Sequence, residues 1–134
     1  MRRVVSPILA TVTIMVMTCN NAVAQSLAEN TRVRDGIVHV GMAVELSDKC
    51  GSLRPRTIRG IGFLQELKDY ARSQGFSDAE IDAYVDNKAE QRRLAALARD
   101  QLARLGVVEG QESTYCAVGR DQIARQTRVG WLLR

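Results

Sequence analysis

Gly75-Phe76-Ser77-Asp78-Ala79-Glu80-Ile81 is the stretch that decides the fold class. Gly75 stands where a helix ends on a left-handed residue. Ser77-Asp78-Ala79-Glu80 then spells a capping box, in which Ser77 and Glu80 each satisfy a free amide of the other. Phe76 and Ile81 are placed to close a hydrophobic staple around it. One helix therefore stops and another starts within three residues, which predicts a helix–turn–helix corner.

Upstream of the corner, Ile58, Ile61, Leu64, Leu67 and Ala71 recur at helical spacing and predict the buried stripe of one helix. Pro55 suits its first turn. Gly60 and Gly62 fall inside this stripe. No third glycine and no Lys-Ser/Thr follows them, so they read as sites of close helix packing, not as a phosphate loop. Downstream, the helix from Asp78 turns Ile81, Tyr84 and Val85 inward. Asn87-Lys88-Ala89-Glu90 looks like a second capping box and predicts a break near Asp86–Asn87. Leu94, Leu97, Ala98, Gln101, Leu102 and Leu105 carry the next helix, and Gly106 ends it. After a loop from Val107 to Glu112, Ser113 or Thr114 caps a last helix with Cys116, Gly119, Ile123 and Thr127 on one face. Trp131-Leu132-Leu133 forms an apolar tail, either packed across the bundle or exposed for docking.

Asp35 to Cys50 is less decisive. Ile37, Val40, Gly41, Val44 and Asp48 follow helical spacing, while Val38, Val40, Met42, Val44 and Leu46 alternate as a strand would. Helix is the expectation, because no second strand is available to pair with it. Gln25 to about Arg32 reads as a polar, frayed N-terminus. The sum is an all-α fold, a small bundle of four to five helices.

The first 24 residues carry an address. Arg2 and Arg3 form a positive start, Val4 to Met17 is almost wholly apolar, and Ala22-Val23-Ala24 supplies a small-x-small cleavage site. The apolar run is about 14 residues, short of the roughly 20 that span a bilayer. Residues 1–24 are therefore expected to be a cleaved signal peptide, 25–134 a single helical domain, and the location the periplasm. Thr18 and Val16 before Cys19 do not fit a lipidation box, and Met1 and Val4-Val5 around the arginine pair do not fit twin-arginine export.

Cleavage takes Lys+Arg from 19 to 17 against 15 acidic residues, a balance of about +2. That and the compartment argue against a nucleic-acid partner. Sixteen of the 19 basic residues of the full sequence are arginine, which a GC-rich genome produces without selection for phosphate binding. Cleavage also removes Cys19 and leaves Cys50 and Cys116, an even pair in an oxidising compartment, expected to form one disulfide. Two cysteines and the single His39 are too few for a structural zinc site.

No complete catalytic set is legible. His39 is placed to pair with Asp35 at i−4 on a half-exposed helix face. No serine sits in a Gly-x-Ser-x-Gly elbow. Asp78, Glu80, Asp82 and Asp86 suit the N-terminal turns of a helix, where the dipole favours them without catalysis. No enzymatic activity and no cofactor or metal is expected; a small hydrolase is the remote alternative. Arg54, Arg56 and Arg59 cluster at a helix start and, with Trp131, are the expected partner-binding residues. A solvated face is the plainer reading of the arginines, and a weak membrane-surface contact a further one.

The mature region resembles a family of small exported alphaproteobacterial proteins of unknown function. The resemblance covers most of Ile37 to Arg134. It rests on Met42-Ala43-Val44 leading to Cys50, on Arg56 and Arg59, and on Leu64-Gln65-Glu66-Leu67-Lys68. Gly75 to Ile81 with Ala83-Tyr84-Val85 is its most specific block, followed by Tyr115-Cys116-Ala117-Val118-Gly119 and the closing Gly130-Trp131-Leu132-Leu133-Arg134. Val118 and Trp131 stand where other apolar residues are expected. Some members lie among genes for respiratory complex I and are labelled as a subunit of that NADH dehydrogenase. The resemblance thus implies an accessory role on the periplasmic face of complex I as the alternative to an unidentified protein partner in the envelope. The chain itself has no flavin, nucleotide or four-cysteine cluster motif.

Overall fold

A computed structural model describes residues 26–134; the expected signal peptide and Cys19 lie outside the described residues. A 3-10 turn at Leu27–Glu29 leads into α1 (Thr31–Lys49), α2 (Thr57–Ser73), α3 (Asp78–Asp86), α4 (Lys88–Arg104), α5 (Glu112–Ala124) and the short α6 (Arg128–Trp131). The described residues are all-helical apart from one isolated antiparallel bridge, Pro55 to Leu133.

The ambiguous segment is helical. The Asn30 side chain accepts from the Val33 amide at 3.1 Å and starts α1. Val38, Met42, Ala43 and Leu46 are its buried face. Strand alternation would have buried Val44 too, yet Val44 is 46% exposed. The buried face is turned by about one residue from the expected one: Ile37, Val40 and Gly41 are only half-buried. The N-terminus is also ordered sooner than expected. Leu27 is buried with Val33, Ala71 and Ile81 in a small second core, and the Glu29 carboxylate accepts from the Ser26 amide at 3.2 Å.

The helix–turn–helix corner forms as read. Gly75 has φ +94°, the Phe76 amide donates to the Ala71 carbonyl, and the Gly75 amide to that of Arg72, the two bonds of a Schellman ending. Ser77 Oγ accepts from the Glu80 amide at 3.2 Å, and the Glu80 carboxylate accepts from the Ser77 amide at 2.7 Å. The break at Asn87 is present, but its box is half-made. Asn87 Oδ1 takes the Ala89 and Glu90 amides, while the Glu90 carboxylate turns to Tyr84 and Arg93. Burial and that hydrogen bond push the Tyr84 hydroxyl up to about 12.

Helix α2 departs most from expectation. It starts at Thr57, because Pro55 is held in the bridge to Leu133. It buries Phe63, Leu67 and Ala71 and leaves Ile58, Ile61 and Leu64 exposed. Val85 on α3 and Leu105 beyond α4 are exposed as well. Gly60 and Gly62 face open space, so they do not serve close packing. The glycines that do are Gly36, against Leu67; Gly119, against Leu53; and Gly130, where an added Cβ would stand 1.9 Å from the Gln122 carbonyl oxygen.

Cys50, directly after α1, is bonded to Cys116 in the first turns of α5. The main core joins α1, α4, α5, α6 and the C-terminal tail around Val38, Met42, Leu46, Leu102 and Leu133. Helix α5 starts at Glu112, so Ser113 and Thr114 lie inside it; Thr114 Oγ1 instead accepts from the Val108 amide and fastens the preceding turn.

Three outcomes are expected from this packing. Cys50→Ser opens a loop of 66 residues and should lower stability by about 4 kcal/mol in denaturant unfolding under non-reducing conditions. Gly130→Ala should cost at least about 2 kcal/mol, since its Cβ meets backbone. Gly62→Ala should instead gain roughly 0.5–1 kcal/mol, because the helix there has room. Paired thermal melts of the two alanine variants check the opposite signs.

Candidate functional site

Two segments distant in sequence meet at one corner of the bundle. The Arg54 amide donates to the Arg134 carbonyl at 2.8 Å, the Arg134 amide returns the bond at 2.9 Å, and the Arg56 amide donates to Leu132 at 2.8 Å. Arg56 Nε reaches the Leu133 carbonyl at 2.8 Å, and Arg59 Nη1 reaches that of Trp131 at 3.3 Å. Local chemistry prepares this meeting. Gln126 ends α5 with φ +54°, and Thr127 Oγ1 accepts from the Gly130 amide at 3.1 Å and starts α6. The buried Gln122 side chain is held by the Thr127 hydroxyl at 2.7 Å. Leu132 and Leu133 are thereby buried, and Trp131 stays 37% exposed.

The Trp131 ring meets Phe63 edge-on, with centroids 6.4 Å apart. Arg59 lies 5.3 Å and Arg128 5.2 Å from the Trp131 centroid, and Arg128 is also 4.8 Å from that of Phe63. These are cation–π distances. None of Arg54, Arg56, Arg59, Arg128 and Arg134 pairs with a described carboxylate. The sequence explains why: residues 51–65 and 122–134 together hold six arginines and no Asp or Glu. Arg125 alone of the six is paired, with Asp121 of α5 at 3.3 Å.

The structure thus brings together all four expected partner-binding residues: Arg54, Arg56, Arg59 and Trp131. Arg56 and Arg54 spend donors on backbone carbonyls, Arg54 on Gly51 and Leu53, and so also hold the corner together. Sequence reasoning missed Phe63 and Arg128 as members. Phe63, four residues after Arg59 on the same helix, was the available signal.

Elsewhere the described residues line concavities of two kinds. A cleft of about 960 Å³ lies between α1, α4 and the turn before α5, with Glu45, Asp100, Glu109 and Glu112 facing Lys49 and Arg99. Glu112 is occupied there, accepting from the Gly51 amide at 2.9 Å. An apolar groove of about 350 Å³ runs over Val40, Leu64, Tyr84, Val85 and Leu94. His39 is in neither. It makes no hydrogen bond to Asp35, whose carboxylate is taken by Arg34 at 2.9 Å. The acidic run is likewise structural: Asp78 binds Arg72 at 2.7 Å, Asp82 binds Lys68 at 3.3 Å, and Glu80 caps α3.

Residues 25–134 match the model of a family of unknown function, DUF5333. The chain belongs to this family. No curated protein and no solved structure matches it. The family covers the whole described fold, the disulfide and the arginine–aromatic corner included, and prescribes no chemistry for them.

His39 offers a test of the surroundings of the corner. Burial lowers its pKa below the ordinary 6.5; Asp35 pulls it up and Arg128 pushes it further down. The fold therefore favours the neutral ring. This contribution to stability is complete above pH 6.5 and is lost as the pH falls through the lowered pKa. Wild-type stability is expected to decline over that window. His39→Gln should flatten the decline, as read by denaturant midpoints between pH about 7.5 and 5.

Proposed function

We propose that this protein is a non-enzymatic binding protein exported to the cell envelope, and that the arginine–aromatic corner is its working surface. One observation carries the reading. The Pro55–Leu133 bridge joins two carboxylate-free segments, so unpaired arginines gather around a part-exposed tryptophan. Arg and Trp are the residue types that dominate binding energy at interfaces. An unpaired basic patch on a chain near charge balance implies a partner with negative charge. The Cys50–Cys116 bond supports export, since such bonds persist in oxidising compartments. Among the described residues no helix is long and apolar enough to cross a membrane.

Affinity capture from gently solubilised envelopes, read by mass spectrometry, tests the reading. The baits are the wild type, Trp131→Ala and the double variant Arg59→Glu/Arg128→Glu. Each variant should weaken retention of envelope material about tenfold or more while keeping its melting temperature within a few degrees. Subunits of NADH dehydrogenase in the wild-type eluate alone would identify the partner that the family resemblance implies. Equal capture by all three baits would remove the corner from consideration.

A further inference from the structure

The cleft of about 960 Å³ shares no lining residue with the arginine–aromatic corner, and its chemistry is independent of it. Helix α1 supplies Glu45 and Lys49, and α4 supplies Arg99 and Asp100. Glu109, Glu112 and Tyr115 come from the turn before α5 and from its first turn. The walls are held by the fold itself. The Cys50–Cys116 bond ties the end of α1 to α5, and Glu112 accepts from the Gly51 amide at 2.9 Å. Thr114 Oγ1 clasps the turn, accepting from the Val108 amide at 2.9 Å and donating to the Gln111 carbonyl at 2.8 Å. Gly110 bends that turn at φ +80°, where a side chain would be strained. A cleft shaped in advance does not have to be ordered by its occupant.

Two observations mark it as a site. First, its charges are unspent. Glu45, Asp100, Glu109, Lys49 and Arg99 make no hydrogen bond or ion pair with any described residue. Glu45 and Lys49 even stand four apart on α1, the spacing that favours a pair, and do not form one. The second observation is Tyr115. It is 5% exposed, and its hydroxyl bonds no described residue. Every fully enclosed side-chain oxygen or nitrogen among the described residues has a partner. The Tyr115 hydroxyl is therefore not enclosed: it opens into the cleft that this residue lines. There it offers both a donor and an acceptor.

Charge selects the occupant. A purely anionic ligand would meet three free carboxylates, and a purely cationic one would meet Lys49 and Arg99. A ligand of both signs with positive charge in excess answers all five. The volume lies at the upper end of the range for small-ligand sites. We propose that this cleft binds a short basic peptide with free termini. The ammonium groups of the peptide meet Glu45, Asp100 and Glu109, its carboxylate meets Lys49 and Arg99, and one of its peptide groups hydrogen-bonds the Tyr115 hydroxyl.

Amide NMR titration of the purified, disulfide-bonded protein with the tripeptide Ala-Lys-Ala tests this. The recognition rests on charges common to all such peptides, so this probe suffices. Saturable shifts are expected at millimolar peptide or below, centred on residues 45–49, 99–103 and 107–115. Acetylating the peptide's amino group or amidating its carboxylate should each weaken binding about tenfold, and Ala-Glu-Ala should not bind. Glu45→Gln and Arg99→Gln, which spend no bond within the fold, should also each weaken it about tenfold. Tyr115→Phe should weaken it about fivefold. Its melting temperature should stay unchanged, because the hydroxyl has no partner in the fold. Trp131→Ala and Arg59→Glu/Arg128→Glu should bind the peptide as the wild type does, so failure of the corner and failure of the cleft are read separately. Absence of shifts, binding indifferent to end-blocking, to the Lys-to-Glu exchange or to Glu45 and Arg99, or a Tyr115→Phe variant that binds normally overturns the inference.

Discussion

Helix α1 has to lose one whole face to the interior, and the other elements are arranged by that requirement. It touches α2, α4, α5, α6 and the 3-10 turn before it. Val38, Met42 and Leu46 run down this face at intervals of four and meet side chains from the other end of the chain. Burial at about 25 cal/mol per Å² is what draws these elements in. A domain of this length buries only a modest core, so a covalent tie has leverage. Cys50 ends the face of α1 and is itself fully buried, and its bond to Cys116 keeps the start of α5 at the end of α1. The register of α5 then determines where α6 and the tail arrive.

That arrival makes the corner. The left-handed turn at Gln126 costs about 1–2 kcal/mol for a residue with a side chain. The Gln126 and Thr127 amides offset part of it by satisfying the last carbonyls of α5. The missing Cβ of Gly130 lets α6 lie directly on the backbone of α5 at Gln122. With Leu132 and Leu133 consumed by the core, Trp131 is turned outward and its backbone is left to meet Arg59. The arginines tolerate one another because their charge is spread over aromatic faces and carbonyl oxygens, and because one side of the cluster is open to water.

Local signals were the most legible. The Gly75 ending and the Ser77–Glu80 box are contained within six residues, and both formed as read. The break at Asn87 was visible for the same reason, although Glu90 found better partners in Tyr84 and Arg93. The capping residues Ser26 and Glu29 carried the same kind of signal, and the segment they order was expected to fray. The face of α2 was misread on different grounds. That helix carries two apolar stripes, Ile58–Ile61–Leu64 and Phe63–Leu67–Ala71. Periodicity reports that a face is apolar and is silent on which of two faces another element covers.

The sequence by itself determined the helical class, the corner at Gly75, the break at Asn87 and the availability of one cysteine pair, because each depends on residues a few positions apart or on composition. It also supplied Arg54, Arg56, Arg59 and Trp131 as separate candidates. Only the tertiary structure decided that they form one surface, that Phe63 and Arg128 belong to it, and that Ile58 and Ile61 remain uncovered. The physical reason is distance along the chain: residues 51–65 and 122–134 acquire a common electrostatic field only after α1 is buried and the tail pairs with Arg54 and Arg56.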